Sequence, residues 1–463
     1  MSSRQLWVGT WLVGLPLGAS AATLDGATLS PLWGVPFAGI LLSIAIVPLI
    51  SPAAWHHHFG KISAAWALAF LAPFAWVFGT DAAFGAFVHA MLEEYVPFIV
   101  LLATLYTVAG GICLNGDLRG SPRLNTGLLA LGTVLASIMG TTGAAMLLIR
   151  PLLRANQHRK RVVHLVVFFI FLVANVGGSL SPLGDPPLFL GFLNGVSFFW
   201  TTIHLALPML FVSCVLLALF YALDRHYFLK EAPAASGNTP LSIEGKINFA
   251  LLVVVIALVL MSGIWKPGIK VDIAGTHVAL QNLLRDACLI VVAIVSLAIT
   301  PKSARAGNDF NWAPIEEVAK LFAAIFITIV PVITILRAGE TGAFAGIVHL
   351  VTDANGRPID TAFFWATGLL SSFLDNAPTY LVFFNLAGGD AHALMTTGAT
   401  TLAATSAGAV FMGANSYIGN APNFMVKAIA ESRGIAMPGF FGFIGWSTII
   451  LLPLFLVTGW LFF

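Results

Sequence analysis

The chain has few charged residues and few cysteines for its length. Charged side chains make up 9% of its 463 residues, and its only cysteines are Cys113, Cys214 and Cys288. Soluble domains carry about 25% charged residues, so this composition excludes an ordinary soluble protein. The net charge of +2 gives no indication of nucleic-acid binding. Three cysteines in apolar runs predict neither a disulfide framework nor a metal site.

Two motifs of energy-using and hydrolytic proteins are also missing. The sequence contains no His-Glu-x-x-His pair and no phosphate-binding Gly-x-x-x-x-Gly-Lys-Ser/Thr loop. The segment Leu183-Gly184-Asp185 weakly resembles the Gly-Asp pair of intramembrane proteases, but it lacks the glycine two places before the aspartate. We therefore expect no enzyme, no cofactor and no ATP-driven step.

Apolar residues dominate what is present. Hydrophobic residues make up 58% of the chain, and the mean hydropathy is +0.92. Many apolar stretches reach about 18 residues, enough for a helix to cross a hydrocarbon core. The alternation over about ten residues that marks a membrane β-barrel is not seen. The sequence therefore predicts an all-α polytopic membrane protein.

The first 22 residues have the layout of a secretory signal peptide. Arg4 precedes an apolar run from Leu6 to Leu17, and the small residues Ala19-Ser20-Ala21 follow. We expect residues 1–22 to be a cleaved bacterial signal peptide. The alternative is an ordinary first helix.

An internal repeat relates the two halves of the chain. Gly178–Phe189 aligns without gaps on Gly413–Phe424, 235 positions later, with five of twelve residues identical. At the same offset Ser137–Met146 falls on Ser372–Leu381. The repeat predicts a first half over 31–222, a polar cytoplasmic linker over 223–246 and a second half over 247–463.

Each half is predicted to hold one re-entrant hairpin and five spans, of which one is broken. Val318–Leu336 is predicted as an unbroken span of the second half. The hairpins are Leu124–Leu153 and Thr361–Leu386, and the broken spans are Val162–Asn194 and Ala393–Ala430. An odd number of spans inverts the second half relative to the first.

Loop charge sets the predicted orientation, because cytoplasmic loops carry an excess of lysine and arginine. Three basic residues fall in the predicted outer loops of the mature chain, namely Lys266, Lys270 and Arg357. Fourteen fall in the predicted cytoplasmic loops, namely Lys61, Arg119, Arg123, Arg150, Arg154, Arg159, Lys160, Arg161, Arg225, Lys230, Lys246, Lys302, Arg305 and Arg433.

Asp185 and Asp375 are the strongest candidates for a functional site. Each lies in a long apolar stretch, where an ionised carboxylate costs at least about 2.5 kcal/mol and marks function by default. Glycine and proline beside them break the helices and free backbone carbonyls at membrane depth. Hard cations such as sodium prefer oxygen ligands. Further candidate ligands are Thr141, Thr142, Ser181, Ser371, Asn376, Thr379, Ser416 and Asn420. The alternative is that these side chains only cap and pack broken helices.

Two segments resemble a known family. Ser-Pro-Leu-Gly-Asp-Pro-Pro at Ser181–Pro187 and Leu-Asp-Asn-Ala-Pro-Thr at Leu374–Thr379 are similar to the ion transporter superfamily, most closely to NhaD-type sodium/proton antiporters. Arg337–Gly342 (RAGETG) resembles that family's segment after the preceding span. The resemblance runs over nearly the whole chain after residue 30. It implies a homodimer in which scaffold helices hold a transport domain of hairpins and broken helices.

One departure from the family pattern concerns the first hairpin tip. Gly140-Thr141-Thr142-Gly143 has neither a carboxylate nor an asparagine, whereas the second tip has both. We therefore expect two unequal ion sites, with sodium held at Asp185 and Asp375. Glu340 is a further candidate, for the proton path.

These features predict a secondary transporter in the bacterial inner membrane. The first hypothesis is exchange of cytoplasmic sodium for external protons, because a buried carboxylate cannot hold a proton and a cation at once. The alternative is sodium-coupled carboxylate uptake or oxyanion efflux on the same fold. Two aspartates repel an anion unless bound cations neutralise them.

Overall fold

A computed structural model describes residues 25–116, 118–231 and 240–463. The predicted signal peptide lies outside the described residues. Within them, eight helices are long and apolar enough to cross a membrane, and a bent pair would make a ninth span. The two short sheets have two strands each. The prediction of an all-α polytopic membrane protein is confirmed.

The first half opens with three predicted spans built from four helices. A Ser51 cap and Pro52 begin the second helix, and Gly79, with φ of 93°, ends it. A π-helical turn, Ala90–Tyr95, joins the next two helices into one span, Thr80–Ala109. The helices are α1 (Val35–Ile50), α2 (Pro52–Phe78), α3 (Thr80–His89) and α4 (Val96–Ala109).

The first hairpin and the first broken span follow as predicted. The hairpin turns at Gly140, whose φ of 83° suits a residue without a Cβ. The broken span contains a 3₁₀ turn, Val176–Leu180. The helices are α5 (Pro122–Met139), α6 (Thr141–Ala155), α7 (Val163–Leu172), α8 (Pro186–Leu193) and α9 (Trp200–Phe228).

The second half repeats this order of elements. It begins with α10 (Ile247–Ile264), α11 (Leu280–Ile299), α12 (Lys302–Gly307), α13 (Ala313–Thr328), α14 (Val330–Arg337) and α15 (Ala345–Val351). The second hairpin is α16 (Asp360–Phe373) and α17 (Asn376–Leu386). The second broken span and last helix are α18 (Ala391–Thr396), α19 (Ala399–Met412), α20 (Ala421–Ser432) and α21 (Phe440–Phe462).

Three local features differ from the predicted topology. The segment predicted as one span over Val318–Leu336 is bent by 42° between α13 and α14, where Pro331 lies at the start of α14. Helix α9 continues to Phe228, past the predicted start of the linker at residue 223. Strand β1 (Cys113–Asn115) pairs with β2 (Ser242–Glu244), and an unpredicted hairpin forms from β3 (Lys270–Ile273) and β4 (Thr276–Ala279).

The first broken span occupies the centre of the protein. In Val163–Leu180, 89% of residues are buried, whereas no other candidate span exceeds 39%. The surrounding helices instead expose large apolar side chains such as Trp76, Ile203 and Trp460. The broken span is therefore packed in protein, while the outer helices present an apolar surface suited to lipid.

Equivalent hydrogen bonds occur in the two halves. The Ser181 hydroxyl donates to the Ser137 carbonyl, and the Ser416 hydroxyl, 235 positions later, donates to the Ser372 carbonyl. In each half these bonds tie the break in the span to the hairpin beside it. The division at residues 222 and 247 and the inversion of the second half stay predictions.

A buried polar cluster fixes one end of the first hairpin. Asp224 on α9 accepts hydrogen bonds from Asn125 on α5 at 2.9 Å and from Arg159 at 2.6 Å. His164 at the start of α7 lies 2.8 Å from the same carboxylate. Because a buried charge is costly without partners, this set of contacts holds α5, α7 and α9 in one arrangement.

Candidate functional site

The two helix breaks form at Asp185 and Asn420, which occupy equivalent positions in the repeat. Both have extended backbones, with φ and ψ of −140° and 143° at Asp185 and −156° and 137° at Asn420. Pro186 directly follows Asp185 and disfavours the helical conformation there. Pro422 lies in the first turn of α20, where its missing N–H costs no helical hydrogen bond. The chain therefore leaves the helix at these points and restarts as α8 and α20.

Two consecutive prolines leave the Asp185 carboxylate free of its own helix. An N-terminal aspartate normally accepts hydrogen bonds from the first backbone N–H groups of its helix. Pro186 and Pro187 supply none, and Asp185 makes no side-chain capping bond. Its side chain can therefore reach other elements of the protein.

The Asp185 carboxylate joins elements from both halves. Its Oδ1 accepts hydrogen bonds from the Thr141 hydroxyl at the first hairpin tip and from Asn420 Nδ2 at the second break, both at 3.1 Å. Its Oδ2 accepts one from Asn376 Nδ2 at the second hairpin tip. The structure therefore brings together four of the predicted site residues around one carboxylate.

Every hydrogen-bond donor to Asp185 is neutral. Asp185 is 2% exposed and forms no salt bridge among the described residues. The nearby charge that acts on it is that of Asp375, which has the same sign. Protein side chains therefore leave the charge of Asp185 uncompensated, a costly arrangement for a buried ion.

Asp375 occupies a different environment from Asp185. It is half-buried, and its Oδ1 accepts a hydrogen bond from the Ala377 N–H at 3.0 Å, so it caps α17. The Thr379 hydroxyl donates to the Asp375 carbonyl at 2.9 Å, as threonines within helices often do. The two carboxylates therefore differ in their contacts, and the expectation of two unequal ion sites stays a prediction.

Three of the hydroxyl groups predicted as ligands form hydrogen bonds with the backbone and none with Asp185. Ser181 accepts a hydrogen bond from the Leu183 N–H at 3.1 Å, and Ser416 accepts one from the Ile418 N–H at 3.2 Å. Ser371 donates to the Ala409 carbonyl at 2.6 Å. These contacts match the alternative that some polar residues only hold broken helices in place.

A small cavity lies between α4 and the first hairpin tip. Its volume is about 40 Å³, above the roughly 10–15 Å³ that a cavity needs to hold one water molecule. Asp185 is the only charged residue in its lining, which is otherwise mostly apolar and includes Thr141, Thr142, Phe98 and Leu101. The cavity can hold a small ion or a water beside Asp185.

Glu340 lies away from this site. It is exposed, on a 3₁₀ turn, Gly339–Thr341, after α14. Nearby Arg337 donates from Nε to Asn385 Oδ1 at 2.8 Å, at the end of α17. A role for Glu340 on the proton path stays a prediction.

The sequence interpretation missed two asparagines at the centre of the site. Asn175 Nδ2 donates to Asn423 Oδ1 at 2.7 Å, and Asn175 Oδ1 accepts from Asn420 Nδ2 at 3.3 Å. Asn423 Nδ2 also donates hydrogen bonds to the Gly413 and Ser416 carbonyls, at 2.8 and 2.9 Å. Asn423 lies inside the repeated segment, so its position there was an available signal, whereas Asn175 lies in an apolar run.

Gly184 allows the first break to fold tightly. A Cβ at Gly184 would lie 2.1 Å from the Gly178 carbonyl oxygen. We therefore expect Gly184→Ala to lower stability by about 3 kcal/mol through overpacking. Thermal unfolding of the detergent-purified protein would measure the change.

Gly127 on α5 provides the control, because a Cβ there meets no atom within 4 Å. Gly127→Ala should stabilise its helix by about 0.5–1 kcal/mol. Equal unfolding temperatures for the two variants would contradict the tight packing at Gly184.

A family model described as "Putative citrate transport" matches residues 26–463. No curated protein matches the chain.

Proposed function

The chain belongs to the putative citrate transport family, and from this premise we propose that this secondary transporter exchanges sodium for protons. Sodium leaves the cytoplasm and protons enter in the proposed cycle. The family is of the ion transporter type, which agrees with the resemblance of the hairpin and break motifs. The finer assignment to NhaD-type antiporters is part of the proposal.

The observation that carries this proposal is that no basic side chain binds Asp185 in the described part of the chain, where only neutral donors and the partial charges of helix N-termini face it. Its donors are two amides and a hydroxyl, and none can neutralise it. A buried carboxylate needs a proton or a bound cation to be stable in the membrane. A group that must hold one or the other exchanges them when it opens to each side in turn.

Oxygen atoms near Asp185 can complete a sodium site. The Asn376 Oδ1 atom is buried and has no hydrogen-bond partner in the protein. Rotation of the Asn420 amide by half a turn would present its oxygen in place of its NH₂ group. This rotation would break the bonds from Nδ2 to the Ala174 carbonyl and to Asn175 Oδ1, at 3.1 and 3.3 Å. With the Thr141 hydroxyl and the carboxylate, these atoms form the all-oxygen set that a hard cation prefers.

The proposal also includes the oligomeric state, the membrane and the orientation of the protein. We propose that it is a homodimer in the bacterial inner membrane, as the family resemblance implies. The predicted excess of basic residues in cytoplasmic loops supports the direction in which the chain would insert.

Carboxylate transport is the second candidate function. The family description supports it, and so do the N-termini of α6, α8, α17 and α20, which meet near Asp185 and favour negative charge. Against it, the cavity of about 40 Å³ is far below the roughly 300 Å³ of small-molecule pockets. Its lining also contains no basic residue. Cation exchange therefore fits the described site better.

Sodium transport at several pH values tests the proposal. If proton and sodium compete for Asp185, the apparent sodium affinity should rise with pH and then level off. Dequenching of a pH dye in everted vesicles, after addition of sodium, would measure it. The same vesicles receive potassium chloride as an ionic control and sodium citrate at equal sodium concentration. An affinity independent of pH, or a response that requires citrate, would favour carboxylate transport.

A further inference from the structure

The span Thr80–Ala109 contains a carboxylate with a buried oxygen that is not part of the proposed site. Glu94 lies in the π-helical turn Ala90–Tyr95, directly before α4. Its Oε2 atom is buried and has no hydrogen-bond partner in the protein. Such turns occur often at functional sites, because they widen the helix and redirect a side chain.

Glu94 shares a helix face with the cavity beside Asp185. Residues four, seven and eleven positions after it are Phe98, Leu101 and Leu105, and all three line that cavity. These spacings place side chains on one side of a helix. The rise of about 1.5 Å per residue puts Glu94 roughly 10 Å along the helix from Leu101. The π-helical turn also packs against α8, the helix that starts at Asp185.

We propose that Glu94 is a second binding site for a proton or a sodium ion, on the outer part of the route to Asp185. This inference rests on the proposed exchange function. The outer position follows from the loop charges, which place the start of α4 toward the outside. A carboxylate there can accept an external proton. Because the α4 face offers only apolar side chains, water in the cavity beside Asp185 would have to carry the proton inward.

Few charged groups surround Glu94. Arg337 on α14 is the nearby positive charge that acts on it, and Glu93 is the nearby negative charge. Arg337 Nε is already bound to Asn385 Oδ1 at 2.8 Å. The other titratable residues on the packed elements are His89 and Asp81 on α3, Tyr95 and Tyr106, His277 on β4, Asp185 before α8, and Glu316, Glu317 and Lys320 in the first two turns of α13.

Carbodiimide labelling tests the site without requiring transport. Dicyclohexylcarbodiimide reacts with protonated carboxyl groups in apolar surroundings, and peptide mass spectrometry would locate the adduct. In membranes holding the full chain, we expect labelling of Glu94 that sodium chloride suppresses and choline chloride does not. Glu93→Gln should keep this pattern, and Glu94→Gln should lose it. Labelling absent from Glu94, or unchanged by sodium, would overturn the proposal.

Transport by the same variants separates this inference from the proposed function. In proteoliposomes, Glu94→Gln should slow sodium-driven proton exchange by about a hundredfold, the scale of a lost proton-transfer group. Glu94→Asp should restore part of the rate, and Glu93→Gln should match the unmodified protein. If the unmodified protein and the Glu94→Gln variant exchange at the same rate, the role of Glu94 is refuted and the proposed antiport function stands. Sodium protection of Glu94 in a protein that exchanges no protons would instead refute antiport and retain the site.

Discussion

Asp185→Asn is expected to abolish sodium-driven proton exchange while the protein still inserts and folds. Asparagine has nearly the same shape as aspartate but can neither release a proton nor carry a charge. It would also make the first break match the second, where Asn420 stands at the equivalent position. Dye dequenching in everted vesicles measures the exchange, and size-exclusion chromatography of the purified variant reports its folding.

Asp390→Asn is the matched control for this substitution. Asp390 also precedes a helix, but its carboxylate is exposed and caps α18 through the His392 N–H at 2.8 Å. Asparagine caps helices about as well as aspartate, so exchange should be unchanged. Near-normal exchange by Asp185→Asn would remove Asp185 from the mechanism and leave it a packing role.

Membrane depth and the internal repeat made the fold predictable from the sequence. Long apolar runs set the helices, and glycine and proline at 184–187 and 419–422 set the breaks. The bend between α13 and α14 was less visible, because one proline at the start of a helix is compatible with a straight span. The β3–β4 hairpin depends on a short turn at Ala274 and Gly275, both with positive φ, and no strong alternation announces it.

The candidate site was only partly predictable for a physical reason. The sequence identifies which polar residues lie in apolar surroundings, but not which of them face each other. Thr141, Asn376 and Asn420 come from three elements, and only the packed structure places them on Asp185. Ser181 belongs to the same pattern, yet its hydroxyl is used by the backbone.

Whether a buried charged residue has a partner of opposite charge also cannot be predicted from the sequence. In the sequence Glu94 only precedes an apolar stretch, and its π-helical turn depends on local packing. Arg285 is 1% exposed and pairs with Asp286 at 2.8 Å within α11, so the membrane contains at least one compensated pair. Glu94 has no such partner, and an unpaired carboxylate at membrane depth is a better functional candidate than a carboxylate paired with arginine.

Asp375→Asn is expected to stop sodium-driven exchange through loss of charge rather than loss of structure. Asp375 caps α17 through the Ala377 N–H, and asparagine can keep that cap. What the variant loses is the negative charge at the second hairpin tip, where the next residue, Asn376, donates to Asp185. Two carboxylates attract a sodium ion more strongly than one, and each can carry a proton when sodium leaves.

The comparison of Asp375→Asn with Asp375→Ala separates these two roles. Removal of an N-terminal cap costs about 1 kcal/mol, so only the alanine variant should unfold at a lower temperature. Both variants should fail to exchange sodium for protons in vesicles. If Asp375→Asn instead exchanges at the normal rate while Asp375→Ala is merely less stable, Asp375 is a structural cap. Asp185 would then be the only carboxylate of the proposed sodium site, and it alone would have to bind the proton and the sodium ion in turn.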